Sequence, residues 1–150
     1  MSTRFAWPLV ALGALVLFAA GCGSSGGTFE DHTQGLPFVF GYDKGLEAAK
    51  AQGKPTMMFV TTTWCGWCKK LARENFTDPR IKGLLKNFVL VIVDGDKEKE
   101  GKARLKADQG YPHIVFLSRS GEKVAECVGY RPVDKFTPIV QEAVQRVGGK

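Results

Sequence analysis

The chain has 150 residues, with 21 Lys and Arg against 15 Asp and Glu, a formal net charge of +6 and a hydrophobic share of 44%. That length accommodates one packed domain with an appendage rather than two full domains. Charged residues at 24% and aromatics at 11% exclude a collagen-like, coiled-coil or wholly disordered chain.

The first segment reads as an address. Arg4 precedes a 14-residue apolar run from Trp7 to Ala20, and small residues then lead into Cys22, which is the grammar of an export signal. The run falls short of the roughly 20 residues that a membrane-spanning helix needs. The sequence Phe18-Ala19-Ala20-Gly21-Cys22 resembles the lipobox of bacterial lipoproteins, with Ala19 where the family usually has Leu. The resemblance implies that residues 1–21 are removed, that Cys22 is lipidated and becomes the new N-terminus, and that the lipid anchors the protein to a membrane. An ordinary signal peptide with a chance cysteine is the alternative. Gly23-Ser24-Ser25-Gly26-Gly27 reads as a flexible tether, here taken to extend from Cys22 to residue 35. Export makes nucleic acid an unsuitable partner for the positive charge. Lys97, Lys99, Lys102, Arg104 and Lys106 interleave with Glu98, Glu100 and Asp108, as on a solvated face.

From Leu36 onward strands and helices alternate. Leu36 to Phe40 is a short apolar strand, Asp43 is a candidate N-cap, and the helix behind it stops near Gly53. Thr56 to Thr63 is a buried strand leading into a cysteine pair and a helix through Leu71 and Phe76. Asp78-Pro79 caps and opens a helix through Ile81, Leu84 and Leu85. Phe88 to Val93 is a continuous apolar strand, as expected of one buried on both faces. A charged helix follows over Lys97 to Gln109. A hairpin then runs from Ile114–Leu117 through the turn Ser118–Gly121 to Lys123–Val128. Val133 to Val147 closes the chain as an amphipathic helix that tolerates Pro138 only in its first turn. The pattern is an α/β layered fold with one sheet flanked by helices.

The chemistry sits in Trp64-Cys65-Gly66-Trp67-Cys68. Two cysteines three positions apart at a helix start share a face and lie close enough to bridge. The helix N-terminus, with Lys69 and Lys70 nearby, favours thiolate over thiol. Cys65 is therefore expected as the exposed attacking thiolate, and Cys68, one turn deeper, as the thiol that resolves the mixed disulfide. A zinc site would need two more ligands from Cys22, Cys127, His32 and His113. A purely structural disulfide closing so short a loop would gain little stability. Redox exchange without metal or organic cofactor is the preferred reading. Cys127 reads as a small buried apolar residue, with a third redox thiol as the alternative. Met57 and Met58 read as core.

The cysteine motif, Lys54-Pro55-Thr56 before it, and Phe76-Thr77-Asp78-Pro79 and Gly110-Tyr111-Pro112-His113 after it together resemble the thioredoxin superfamily. Within it they are similar to exported bacterial members like the C-terminal domain of the thiol:disulfide interchange protein. The resemblance covers roughly Leu36 to Val147 and implies a thioredoxin-like domain over residues 36–150, with a central mixed sheet. It further implies that Pro112 is a cis-proline beside the cysteine pair and that the backbone of Tyr111 pairs with an extended substrate segment. By the same resemblance Trp64 shields the disulfide, Gly66 and Trp67 help form the substrate surface, and Gly129 lies near the same groove. In thioredoxin a buried acid stands six residues before the attacking cysteine; here that position is Phe59, with water, Glu74 or His113 as candidate substitutes. The expected function is exchange of the dithiol with cysteines of other exported proteins, in the reducing direction, with an unidentified electron donor or acceptor. The alternative is a redox-idle binding or assembly lipoprotein of the same fold.

Overall fold

The computed structural model describes residues 28–148, so the export signal, Cys22 and the Gly/Ser stretch lie outside the described residues. Two strands buried along their whole length form the centre, β2 (Thr56–Thr61) and β3 (Val89–Asp94). Their uninterrupted apolar sequences suit neighbours on both faces, and they pair in parallel from Thr56↔Val89 to Thr61↔Asp94. The short β1 (Phe38–Phe40) adds in parallel to β3. On the other side, β4 (His113–Leu117) runs antiparallel to β2, and β5 (Lys123–Val128) antiparallel to β4. The order β1-β3-β2-β4-β5 makes a five-stranded mixed sheet.

Strand alternation splits the core in two. Met57 and Phe59 of β2 face a layer holding Cys65, Cys68, Leu71 and Phe76, together with Phe136 and Val140 of the last helix. Met58 and Val60 face the opposite layer with Ala49, Leu105 and Ala107. The two methionines thus point to opposite faces of one strand and belong to the core. The helices are α1 (Glu30–Thr33), α2 (Tyr42–Gln52), α3 (Gly66–Asn75), α4 (Pro79–Leu85), α5 (Lys99–Arg104) and α6 (Val133–Gly148). None in the described residues is long and apolar enough to cross a membrane.

Four sequence expectations need correction. Packing begins inside the stretch read as tether: α1 lies against α3, Lys69 pairs with Asp31 at 3.7 Å, and Phe29 packs on the core. The cap of α2 is Gly41 rather than Asp43. The Tyr42 N–H at the helix start is met instead by the Glu98 carboxylate at 2.6 Å, from 56 positions away. The charged helix is confined to Lys99–Arg104. Pro138 lies beyond the first turn of α6; it and Asp134, whose carbonyl loses its helical partner to the missing N–H, are exposed, while Phe136, Val140 and Ala143 hold the helix on its buried side. By contrast, Asp78 caps α4 as read, accepting from the Arg80 and Ile81 N–H groups, with Pro79 at the first helical position.

Candidate active site

The end of β2 delivers the chain to the cysteine motif. After Thr61 a tight turn closes with the Cys65 N–H donating to the Thr62 carbonyl at 3.1 Å, and Cys65 becomes the N-cap of α3. Its Sγ accepts the Cys68 N–H at 3.2 Å, one of the backbone donors that a helix start leaves without an intrahelical partner. Cys65 and Cys68 form a disulfide with their Cα atoms 5.3 Å apart. Cys65 is 5% exposed and Cys68 0%. Cys65 is far less open than the exposed thiol expected from the sequence, because its sulfur turns inward to bond Cys68 and lies in the same apolar layer as Phe59 and Leu71.

Two aromatic pairs flank the disulfide. Trp64, 68% exposed, donates its indole N–H to Asp96 at 2.7 Å and meets Tyr111 edge-on at 6.1 Å. Trp67, 59% exposed, lies 5.5 Å from Tyr130. The Lys70 ammonium sits over both of those rings, 5.4 Å from Trp67 and 4.7 Å from Tyr130, a cation–π arrangement. Tyr130 also donates to Glu74, which pairs with Lys70 at 3.9 Å. Exposed tryptophans are uncommon on a surface without a partner.

Between these pairs run Pro112 and Gly129. The Tyr111–Pro112 peptide is cis, Pro112 is buried, and its carbonyl accepts the Gly129 N–H at 2.7 Å. Gly129 has φ +76, a conformation that side chains disfavour. Gly66 is exposed and open on the outer side of α3. Trp64, Gly66, Trp67, Tyr111, Pro112 and Gly129 therefore gather around Cys65–Cys68, drawn together from three separate segments of chain.

Phe59 is fully buried beneath this site, packed edge-on against Phe76 at 5.6 Å. Neither candidate substitute for the missing acid is placed there. Glu74 is engaged by Tyr130 and Lys70 on the outer side of α3. His113 alternates with Ile114, which faces the cysteine layer, and bonds Glu126 at 3.1 Å on the other side of the sheet. Lys123 first, and His113 second, hold the Glu126 carboxyl below its usual range. Cys127 is a free, buried thiol whose pKa burial raises, which makes it inert apolar filling.

The site contains residues that the sequence did not single out. Gly95 is one: a Cβ there would come within 2.5 Å of the Tyr111 ring, so only glycine lets that ring settle beside Trp64. Asp96 and Tyr130 are others, visible only once distant loops meet. His32 is fully buried in α1, between Phe29 and Phe59. No cluster of three or more His, Cys, Asp or Glu among the described residues is arranged to hold a metal ion.

Comparison with known proteins agrees with this geometry. A thiol:disulfide interchange protein TxlA homolog of Synechocystis is 30% identical over 107 residues, covering 70% of this chain and 59% of the relative. A thiol:disulfide interchange protein DsbD of Ralstonia nicotianae is 29% identical over 106 residues, covering 68% of this chain and 17% of the relative. The chain thus spans less than two thirds of the length of these relatives. Among solved structures, a thioredoxin from Thermus thermophilus superposes with a TM-score of 0.65 at 27% identity, covering 75% of this chain and 91% of that one. The model of the thioredoxin-like domain matches residues 42–143, which include the cysteine pair, Pro112 and Gly129, and the chain belongs to this thioredoxin-like family.

Proposed function

We propose that the protein is a thiol–disulfide oxidoreductase that reduces disulfides of exported proteins through Cys65 and Cys68. One observation carries the reading: the two cysteines are joined at the head of α3, with the Cys65 sulfur on a backbone N–H and Cys65 the less buried of the pair. In the reduced protein that N–H and the helix terminus favour a thiolate on Cys65. The thiolate attacks one sulfur of a substrate disulfide, forming a mixed disulfide and releasing one substrate thiolate. Cys68, after losing its proton, attacks the Cys65 sulfur, releases the second substrate thiolate and regenerates the disulfide. Two electrons pass to the substrate, and a dithiol donor returns them to the protein. No metal or organic cofactor takes part in this cycle.

Trp64 and Trp67 form the apolar walls of the substrate surface, Gly66 keeps the approach to the sulfurs open, and Tyr111 with Pro112 and Gly129 lines the groove. The backbone of Tyr111, just outside the β4 ladder, receives an extended substrate segment. The export-signal pattern and the resemblance of Phe18 to Cys22 to a lipobox support a domain outside the cytoplasm tethered to a membrane, and the interchange proteins among its relatives support work on cysteine-bearing exported substrates.

Cys65→Ser should abolish reduction of a protein disulfide, and Cys68→Ser should accumulate covalent complexes with substrates. Full turnover by Cys65→Ser would overturn the assignment. The reduction potential measured against glutathione tests direction: a value near −270 mV, about that of a reducing thioredoxin, supports a reductase, and one near about −120 mV an oxidase.

A further inference from the structure

A second concavity lies at the end of the sheet away from the disulfide. The cysteines follow the C-terminal end of β2, whereas this cleft opens where β2 and β3 begin, between β1 and α4. It exists because β1 is short. Pairing with β3 starts only at Phe38↔Leu90, and Pro37 before it has no N–H to extend the ladder towards the start of β3. The cleft encloses about 480 Å³, with Leu36, Val39, Leu85 and Phe88 among its apolar walls. Volumes of roughly 300–1,000 Å³ are typical of small-molecule sites.

Its rim is charged with one sign. Lys54, Lys82 and Lys86 border the opening and no acidic residue lines it. None of the three forms an ion pair among the described residues, whereas Lys69, Lys70, Lys97, Lys102 and Lys123 all do. Lys54 and Lys86 are exposed and Lys82 is half-buried, so their stems extend the apolar wall while their ammonium groups stay at the mouth. An apolar interior under a ring of unpaired cations is complementary to an amphiphile with an apolar tail and an anionic head.

We infer that this cleft binds a single unbranched acyl chain ending in a carboxylate, with the tail against Leu36, Val39, Leu85 and Phe88 and the head among Lys54, Lys82 and Lys86. The site is separate from the cysteine pair and does not depend on the redox reading. Apolar burial fixes the tail contribution: each CH₂ withdrawn from water strengthens binding roughly fourfold. The lysines fix the sign of the head group.

The test is a titration of the full chain, followed by backbone amide NMR shifts, with decanoate, octanoate, butyrate and decyltrimethylammonium. Decanoate should give saturable shifts at Val39, Leu85 and Val89. Octanoate should bind roughly 15-fold more weakly, two CH₂ groups being lost. Butyrate should not saturate, and the cation should bind at least tenfold more weakly than decanoate. Lys54→Gln/Lys82→Gln/Lys86→Gln should weaken decanoate at least tenfold and spare the cation. The inference is overturned by equal affinity for the two head groups, by affinity independent of chain length, or by shifts centred on Trp64 and Trp67. Unchanged decanoate binding by a folded triple variant would also overturn it. Should that variant not fold, the head-group comparison on the unsubstituted chain decides.

Discussion

Replacing His32 by Leu should remove a defined part of the protein's acid sensitivity. The His32 ring has no exposure, meets Phe29 edge-on at 5.3 Å and lies 6.2 Å from Phe59. Neither ring nitrogen has a well-formed hydrogen bond among the described residues, the Thr62 backbone being the one polar group that acts on the ring as a hydrogen-bond partner. Burial first, and the Lys69 charge second, push its pKa below the ordinary value; the Thr62 backbone and Asp31 act in the opposite sense without prevailing. In the unfolded chain the imidazole takes up a proton near pH 6.5, while the folded protein must wait for lower pH. Below about 6.5 the unfolded state therefore binds more protons, and stability falls with pH by up to about 1.4 kcal/mol per unit until the folded pKa is reached. Above 6.5 the effect vanishes. Asp78 and Glu126, whose carboxyls are held low, lose their contribution only nearer pH 4, below the interval in which His32 acts. In urea unfolding across pH 5–8, His32→Leu should match or exceed the wild type at pH 8, because an apolar group of similar size replaces two buried nitrogens without a well-formed hydrogen bond. It should then stay flat down to pH 5 while the wild type declines. Parallel pH curves for the two proteins would refute the reasoning.

Other perturbations probe the supports of the disulfide surface. Gly95→Ala should displace the Tyr111 ring, lower stability by about 1–3 kcal/mol as overpacking does, and be rescued in thermal unfolding by a second change, Tyr111→Ala. Failure of that rescue would mean the crowding lies elsewhere. Asp96→Ala frees the Trp64 indole while leaving the sulfurs untouched, so KM for a protein disulfide should rise severalfold at unchanged kcat in steady-state assays. Glu98→Ala withdraws one carboxylate from two backbone donors, Tyr42 at 2.6 Å and Asp94 at 2.9 Å; the urea midpoint should drop by an amount equivalent to about 1–3 kcal/mol. Glu98→Gln, which retains only one acceptor, should fall between that variant and the wild type.

What the sequence made legible are the features set by local chemistry. Met57 to Val60 and Val89 to Val93 are uninterrupted apolar strands because they are central and parallel, and Asp78-Pro79 announces α4 because a cap and a fixed φ act within three residues. The cysteine pair is legible for the same reason, since its spacing and helix start are local. What stayed hidden is settled by contacts between distant segments. The four residues of α1, Glu-Asp-His-Thr, carry no apolar periodicity; they are held by Lys69 and by burial of His32, neither of which a short polar stretch reveals. The start of α2 depends on Glu98, and the setting of Trp64 on Asp96. The degree to which Cys65 turns inward is likewise a property of the packed layer and not of the motif.

The same packing bears on which sulfur attacks first. A disulfide between two equally open cysteines could be approached at either end, and the mixed disulfide would then form on either residue. Here Cys68 has no exposure and shares the buried layer with Phe59 and Leu71, while Cys65 keeps a slight exposure and is flanked in the chain by exposed Trp64 and exposed Gly66. In the proposed cycle an incoming thiolate attacks Cys65, the less buried of the two, with Cys68 as the departing sulfur and, in the opposite direction, as the resolving one. Widening access to Cys68 without touching either sulfur would weaken that discrimination. The two aromatic pairs act on the same edge, since Trp64 with Tyr111 and Trp67 with Tyr130 stand on either side of the approach. The order of exchange therefore follows from the burial of one sulfur, and the reach of substrates from the walls around the other.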